Sequence, residues 1–427
     1  MTAPDTGARV PWAAVALAGF AFFLVDHDLR SSLRDEYYGV EQDALEAAAG
    51  SGQWGNRIGF TVLALAGGAF VARRTRLWQT RGVLPLVLLF FVGWSVVSVL
   101  WATDPGRTVR RLASLTFCFA GALGFARRLD GRDLCWFVVA LTAAFAGLGV
   151  LVECWLGTFR PFLGGRFAGT LHPNGQGANC AFLCLAAGAL LASGERHRRW
   201  LVGLFVGGFI LLLATKSRTS LAALLVGLVG ARMLRPTPTV VATGFVGVWL
   251  LSLGALVASL LRIDLAGQAA GGLNMGRIED TSTLSGRTEL WEALDEYARQ
   301  RPWIGYGYGG FWTPARVDAV SGDQYWAISS AHSAYYEALL GTGLVGLAAL
   351  VLVLVVGLWR AGAEYRATAD PGTGLLFAIL IAEVIGGFSE SDLVLPSFPA
   401  FLTACALCRI AFFVPRPGAE HPDGEVP

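Results

Sequence analysis

Apolar runs long enough to cross about 30 Å of hydrocarbon recur along almost the whole chain, near residues 10–25, 58–72, 83–101, 112–126, 134–155, 177–193, 200–215, 219–234, 239–261, 333–358, 373–389 and 394–414. Runs of this length predict membrane-spanning helices, so the expected fold is an all-α polytopic integral membrane protein of about twelve spans with one large external loop. The pattern divides the chain into spans one to nine (1–261), an external segment (262–332), spans ten to twelve (333–414) and a tail (415–427). The first run follows Arg9 and resembles a signal peptide, but no small-x-small cleavage site follows it, so it reads as a retained helix.

Composition fits a bilayer as solvent: of 427 residues 54% are apolar and 15% charged, against roughly 25% charged in soluble proteins. With 33 basic and 31 acidic residues the formal net charge is +2, which gives no argument for a nucleic-acid partner. The seven cysteines all stand in or beside apolar runs, so neither a disulfide framework nor a metal site is expected, although Cys405 and Cys408 have CxxC spacing.

Arginine between spans sets the orientation. With the long external segment left out, one set of loops, including Arg73, Arg74, Arg76, Arg81, Arg127, Arg128, Arg132, Arg196, Arg198 and Arg199, is the more basic. It is assigned to the cytoplasm, with both termini. Arg110, Arg111, Arg166, Lys216 and Arg218 stand in short loops on the opposite face, against the topological rule, and an anion bound there would explain them.

Within the external segment a cap at Ser285, the spacing of Leu290, Leu294 and Tyr297, and the stop at Pro302 predict an amphipathic helix over 286–300. Arg287 in its first turn opposes the helix dipole, which makes sense if an anion binds there. The run Trp303-Ile304-Gly305-Tyr306-Gly307-Tyr308-Gly309-Gly310-Phe311-Trp312 lacks the strand that a dinucleotide loop needs. Its aromatic faces suit sugar rings or an interfacial belt. His332 stands where the chain re-enters the membrane, close to Glu337, and can exchange a proton near neutral pH.

Five segments then follow in the order seen in the O-antigen ligase and polymerase superfamily: Gly165-Arg166-Phe167-Ala168-Gly169-Thr170-Leu171-His172-Pro173-Asn174, Ser217-Arg218-Thr219, Gly286-Arg287-Thr288-Glu289-Leu290-Trp291, Pro302 to Gly307, and Ala331-His332-Ser333. Trp101-Ala102-Thr103-Asp104-Pro105 with Arg110 resembles the exopolysaccharide-polymerase branch in particular. The resemblance covers roughly residues 90 to 350, with Ser333 where the family usually has Asn.

The resemblance implies a metal-free, cofactor-free glycosyltransferase in the bacterial inner membrane. It would pass a glycan from a polyprenyl-diphosphate carrier to an acceptor hydroxyl on a glycan or lipid-linked acceptor, with membrane lipid, a flippase or a chain-length regulator as partners. Arg218 and Arg287 would neutralise the leaving diphosphate, and His332 would activate or orient the acceptor. Arg166, Lys216, Asn174, His172, Arg110, Tyr306 and Glu337 would bind substrate, Glu337 by fixing the tautomer of His332. The alternatives are a ligase acting on a lipid A core or protein acceptor, a transporter built on the buried Glu153, Glu337 and Glu383, and a non-catalytic assembly scaffold. Asp26-His27-Asp28 reads as a coincidence rather than a metal site, and Glu390 and Asp392 as solvated acids.

Overall fold

The computed structural model describes residues 11–27, 54–72, 76–78, 82–160, 165–235, 287–322 and 328–415. Ten helices carry the membrane part: α1 (Trp12–Asp26), α2 (Trp54–Ala72), α3 (Val83–Val97, continued by a 3-10 turn Ser98–Trp101), α4 (Pro105–Arg128), α5 (Gly131–Leu156), α6 (Pro173–Ala192), α7 (Arg198–Thr215), α8 (Arg218–Leu234), and, after two helices of the external segment, α11 (Ala334–Thr368) and α12 (Pro371–Gly386). The eleventh, α13 (Phe398–Phe412), closes the bundle. Each coincides with an expected span. The ninth expected span, 239–261, lies outside the described residues, as do both chain ends, Ser285 and Asp28.

Among the described residues seven helices are long and apolar enough to cross a bilayer, and α1, α12 and α13 are shorter apolar helices. This is a multi-pass membrane protein. The number twelve is not established by these lengths.

Helix starts follow local chemistry. Asp104 accepts from Arg107 N at 2.8 Å with Pro105 at the first helical position, and Asp130, Ser217, Asp370 and Ser397 cap α5, α8, α12 and α13 in the same way. Packing between helices uses small residues, as expected where lipid removes the hydrophobic drive. A Cβ at Gly124 of α4 would collide with the Gly67 carbonyl of α2, so the two backbones touch directly. Helix α6 is largely enclosed, packed on α5, α7, α8 and α12.

One pole of the bundle gathers the basic loop residues. There Arg409, 1% exposed, donates to the Leu129 carbonyl at 2.8 Å and to Asp370 at 3.4 Å. Arg127 donates to the Val71 carbonyl. A short antiparallel ribbon pairs β1 (Arg76–Trp78) with β2 (Phe413–Pro415). The opposite pole carries the segment expected to be external, with α9 (Arg287–Gln300) in the expected place and a short α10 (Pro314–Ser321).

Helix α11 departs from the expected unbroken span. Gly343 has φ 69°, ψ −172°, outside helical space, and interrupts it one-third of the way along. The freed backbone groups are taken up by the external segment: Leu344 N donates to the Pro302 carbonyl at 2.7 Å, and Tyr306 N donates to the Leu340 carbonyl at 2.8 Å. A break at membrane depth is tolerable only when its polar groups are satisfied in this way.

Two measurements check this architecture. Gly343→Ala would force a Cβ into the Trp303 carbonyl at a left-handed φ and should destabilise the detergent-solubilised protein by at least about 2 kcal/mol. Gly68→Ala, with open space around its Cβ, should leave the melting temperature within about 2 °C, consistent with a near-neutral surface change. Ala319 is exposed on α10. With the exposed thiol of Cys154 replaced by Ser, an Ala319→Cys variant should react with an impermeant maleimide in intact cells; labelling only after lysis would reverse the expected orientation.

Candidate functional site

Three loops converge at the pole opposite the basic one, and each is shaped by a carboxylate, two of them buried and the third partly so. Glu153, near the end of α5, accepts from Ala168 N at 2.9 Å and Gly169 N at 2.7 Å. This folds the Arg166–Asn174 segment back onto the bundle, and Phe167 N and Arg166 Nε then donate to the Ala214 and Thr215 carbonyls at the α7–α8 turn. Glu337 accepts from Trp312 Nε1 at 3.0 Å and Ala331 N at 2.7 Å. It therefore fixes the backbone just ahead of His332 and does not bond the imidazole, contrary to the tautomer role expected for it.

The third carboxylate joins the other two. Glu390 Oε1 accepts from Asn174 Nδ2 at 2.7 Å and from Arg287 Nη2 at 3.2 Å, while Asn174 Oδ1 accepts from Arg166 Nη2 at 2.6 Å. A chain Arg166–Asn174–Glu390–Arg287 thus links α6, α9 and the α12–α13 loop. The expectation that Glu390 and Asp392 are solvated acids is overturned: both are partly buried, and that burial pushes Glu390 up to about 7 and Asp392 up to about 6, with Asp392 also raising Glu390 and Arg287 opposing.

His332 is placed beside this carboxylate by backbone bonds. Ser333 Oγ donates to the Gly387 carbonyl at 3.2 Å, and Ala334 N donates to the carbonyls of Gly387 and Glu390 at 2.8 and 2.9 Å. His332 itself has φ 47°, a conformation that costs a non-glycine residue about 1–3 kcal/mol and persists only where the surroundings impose it. Burial lowers its imidazole to about 4, helped by Arg287 and His172, so the ring is neutral at pH 7.

His332, His172 and Glu390 line a cavity of about 400 Å³, together with Asp26, His27, Asn179 and Ser391. That volume lies within the range of small-molecule sites. A smaller cavity of about 30 Å³ on the other side of Asn174 and Glu390 is lined by Ser217, Thr219 and Ser220 of α8 and by Glu383 of α12. Lys216, in a left-handed conformation that ends α7, and Arg218, the first residue of α8, flank those α8 residues and are half-buried.

Two expected substrate ligands stand apart. Tyr306 is 3% exposed, donates to the Tyr297 carbonyl at 3.0 Å and lies beneath the guanidiniums of Arg301 and Arg316. The Gly-Tyr-Gly-Tyr-Gly loop is thus wedged between α4 and the α11 break rather than open to sugar. Arg110 is exposed, and the arginine buried at this end of α4 is Arg107, one helical turn away. Among the described residues no group of three or more His, Cys, Asp or Glu is arranged to hold a metal.

Four of the five segments singled out in the sequence fall within a stretch that matches a known family, and the Gly165–Asn174 segment lies outside it. Residues 202–351 match the O-antigen ligase family model. This stretch is similar to O-antigen ligases. The exopolysaccharide production protein ExoQ of Rhizobium meliloti (strain 1021) is 33% identical over 150 residues, 32% of this chain and 34% of the relative. The chain therefore spans about a third of the length of the curated relative it matches. The matched family stretch contains Arg218, Arg287 and His332, whereas Arg166, Asn174 and Glu390 lie outside it and enter the site only through the fold.

Sequence reading missed Glu390, Asn179, Ser391 and the supporting Glu153. The one available signal was Gly386-Gly387 ending an apolar run just before the only acidic pair of the last loop on that face. Two variants separate supporting from peripheral residues. Glu337→Ala leaves two buried donors without an acceptor and should cost about 3 kcal/mol, whereas Arg110→Ala should change stability by less than about 0.5 kcal/mol; thermal unfolding in detergent reads both.

Proposed function

We propose that the protein is a membrane glycosyltransferase of the bacterial inner membrane that lengthens an exopolysaccharide. It takes a glycan from a polyprenyl-diphosphate carrier and joins it to a hydroxyl of another lipid-linked repeat. The observation that carries this reading is the chain Arg166–Asn174–Glu390–Arg287 beside His332: a pair of fixed guanidiniums bonded to groups of which Glu390 lines a cavity with His332, in a chain whose residues 202–351 match the O-antigen ligase family model.

The chemistry needs two things from the protein. As the acceptor oxygen forms its bond to the anomeric carbon, the bond from that carbon to the carrier's diphosphate oxygen breaks and the electron pair leaves on the diphosphate. Arg287 and Arg166, with Arg218 and Lys216 nearby, stabilise that charge where water is scarce, a stabilisation that needs no metal. The acceptor must also lose its proton. His332, held neutral with a weakly basic ring, orients the hydroxyl, and the proton passes to Glu390, whose Oε2 receives no hydrogen bond from any described residue. A carboxylate near 7 is well matched to this transfer at neutral pH.

The sign of the pH dependence follows. Glu390 must be ionised to accept the proton, so turnover should rise about tenfold per unit below pH 7 and level off above it. A rate flat from pH 5 to 8 would instead point to His332 as base. Donor for this assay is the polyprenyl-diphosphate repeat extracted from cells lacking the protein. Purified enzyme given only this donor should produce a ladder of longer carrier-linked chains; absence of a ladder, with transfer to an added lipid A core or protein, would favour the ligase reading. Arg287→Lys keeps charge but loses the forked geometry, and should slow the ladder by more than about tenfold.

A further inference from the structure

The 400 Å³ cavity has a corner that the transfer chemistry above does not use. It lies where α1 ends, against α6 and the α12–α13 loop. Three of the residues that line it each carry a buried polar atom with no hydrogen-bond partner among the described residues: His27 Nε2, Asn179 Oδ1 and Ser391 Oγ. Asn179 and Ser391 are 3% and 7% exposed. Buried polar atoms are almost always paired, and three such exceptions on residues around one cavity call for a ligand.

The fixed surroundings make these atoms a template. His27 Nδ1 is 2.6 Å from Thr170 Oγ1, and its ring packs against Phe145 with centroids 4.2 Å apart. Asn179 Nδ2 donates to the Thr142 carbonyl at 3.0 Å, leaving only its oxygen to face the cavity. Asp26 is held by Phe398 N at 2.9 Å. The bonds to Thr170 and Thr142 hold the His27 ring and the Asn179 amide in place.

Their chemistry selects the ligand class. Asn179 Oδ1 only accepts, and Asp26, Asp392 and Glu390 line the same cavity, so an anion would meet lone pairs and like charge. A hydroxyl donates and accepts at once, and suits a neutral histidine in either tautomer, a serine and an amide oxygen alike. Phe145 and Phe398 supply the apolar wall against which the C–H face of a sugar packs.

We infer that this corner is a sugar-hydroxyl subsite that holds the acceptor ring, with His27, Asn179 and Ser391 as its specificity-determining contacts. The assignment to the acceptor, rather than to the donor glycan, rests on the reading above. The guanidiniums of Arg166 and Arg287 do not line this cavity, whereas Glu390 and His332 do. A ring bound in the corner therefore presents a hydroxyl to Glu390 from the side away from the diphosphate.

The test uses the full-length purified protein with the extracted polyprenyl-diphosphate repeat as donor. The acceptor is the same repeat freed from its lipid by mild acid and labelled fluorescently at its reducing end, so that it can accept but cannot donate. Ser391→Ala and His27→Ala should each raise KM for the labelled acceptor by roughly 5- to 10-fold, with kcat and the donor's dissociation constant within about twofold of wild type, as expected for contacts made equally in ground and transition states. Ser391→Ala removes a single oxygen, and donor binding on the same preparation reports its folding. Unchanged KM in both variants would overturn the subsite, and a weakened donor with unchanged acceptor KM would reassign the corner to the donor sugar. If the wild-type protein transfers nothing, the glycosyltransferase reading fails by itself; fluorescence polarisation of the labelled oligosaccharide then still decides the corner, which stands if Ser391→Ala weakens binding and falls if it does not.

Discussion

One carboxylate oxygen, Glu390 Oε1, accepts from an amide on α6 and a guanidinium on α9. In a low-dielectric setting a charge-assisted bond of this kind is short of competitors, and leaving any member of the chain unpaired is costly. The three segments it joins are far apart in sequence, at residues 174, 287 and 390. No other contact among the described residues brings an arginine of the external segment to the membrane bundle at this point. Without it the Glu390 carboxylate loses both of the donors that hold it on the cavity wall it shares with His332.

The other two carboxylates work one level below. Glu153 gives the Arg166–Asn174 loop its shape through two backbone N–H groups, and Glu337 does the same for the turn before His332 through Ala331 and Trp312. Buried acids of this kind look like transport or catalytic groups in a hydrophobic chain. Here the bonds of Glu153 and Glu337 run to the protein's own backbone and indole, which makes them fixtures of the site. The break in α11 has a similar logic: the Pro302–Tyr306 stretch closes the hydrogen bonds that Gly343 opens, so the external segment is tied to the membrane helix on which His332 is mounted.

Much of this was legible in the chain because long apolar runs leave few alternatives. Eleven of the expected spans coincide with helices of the structure, and α9 begins and ends where its Arg287 and Pro302 imply. Arg166, Asn174, Arg287 and His332, marked as a set by their resemblance to a family, do meet in space. What stayed hidden depends on tertiary contact. Tyr306 sits in a glycine-rich aromatic loop that looks like a sugar platform, yet three left-handed glycines, at 305, 307 and 309, press it against α4 and α11. Arg107 and Arg110 differ only in the face of α4 they occupy, and composition cannot rotate a helix. Glu390 resembles any interfacial acid until its partners 216 and 103 residues away are known.

The most direct test of the account is a structure of the full-length protein in lipid nanodiscs with a non-hydrolysable phosphonate analogue of polyprenyl diphosphate. The account predicts phosphoryl oxygens within about 3 Å of the guanidiniums of Arg287 and Arg166, the usual span of such charge-assisted bonds, with the glycan-bearing end directed toward Glu390 and His332. A diphosphate bound instead at the opposite pole, against Arg232 and Arg235, would contradict it.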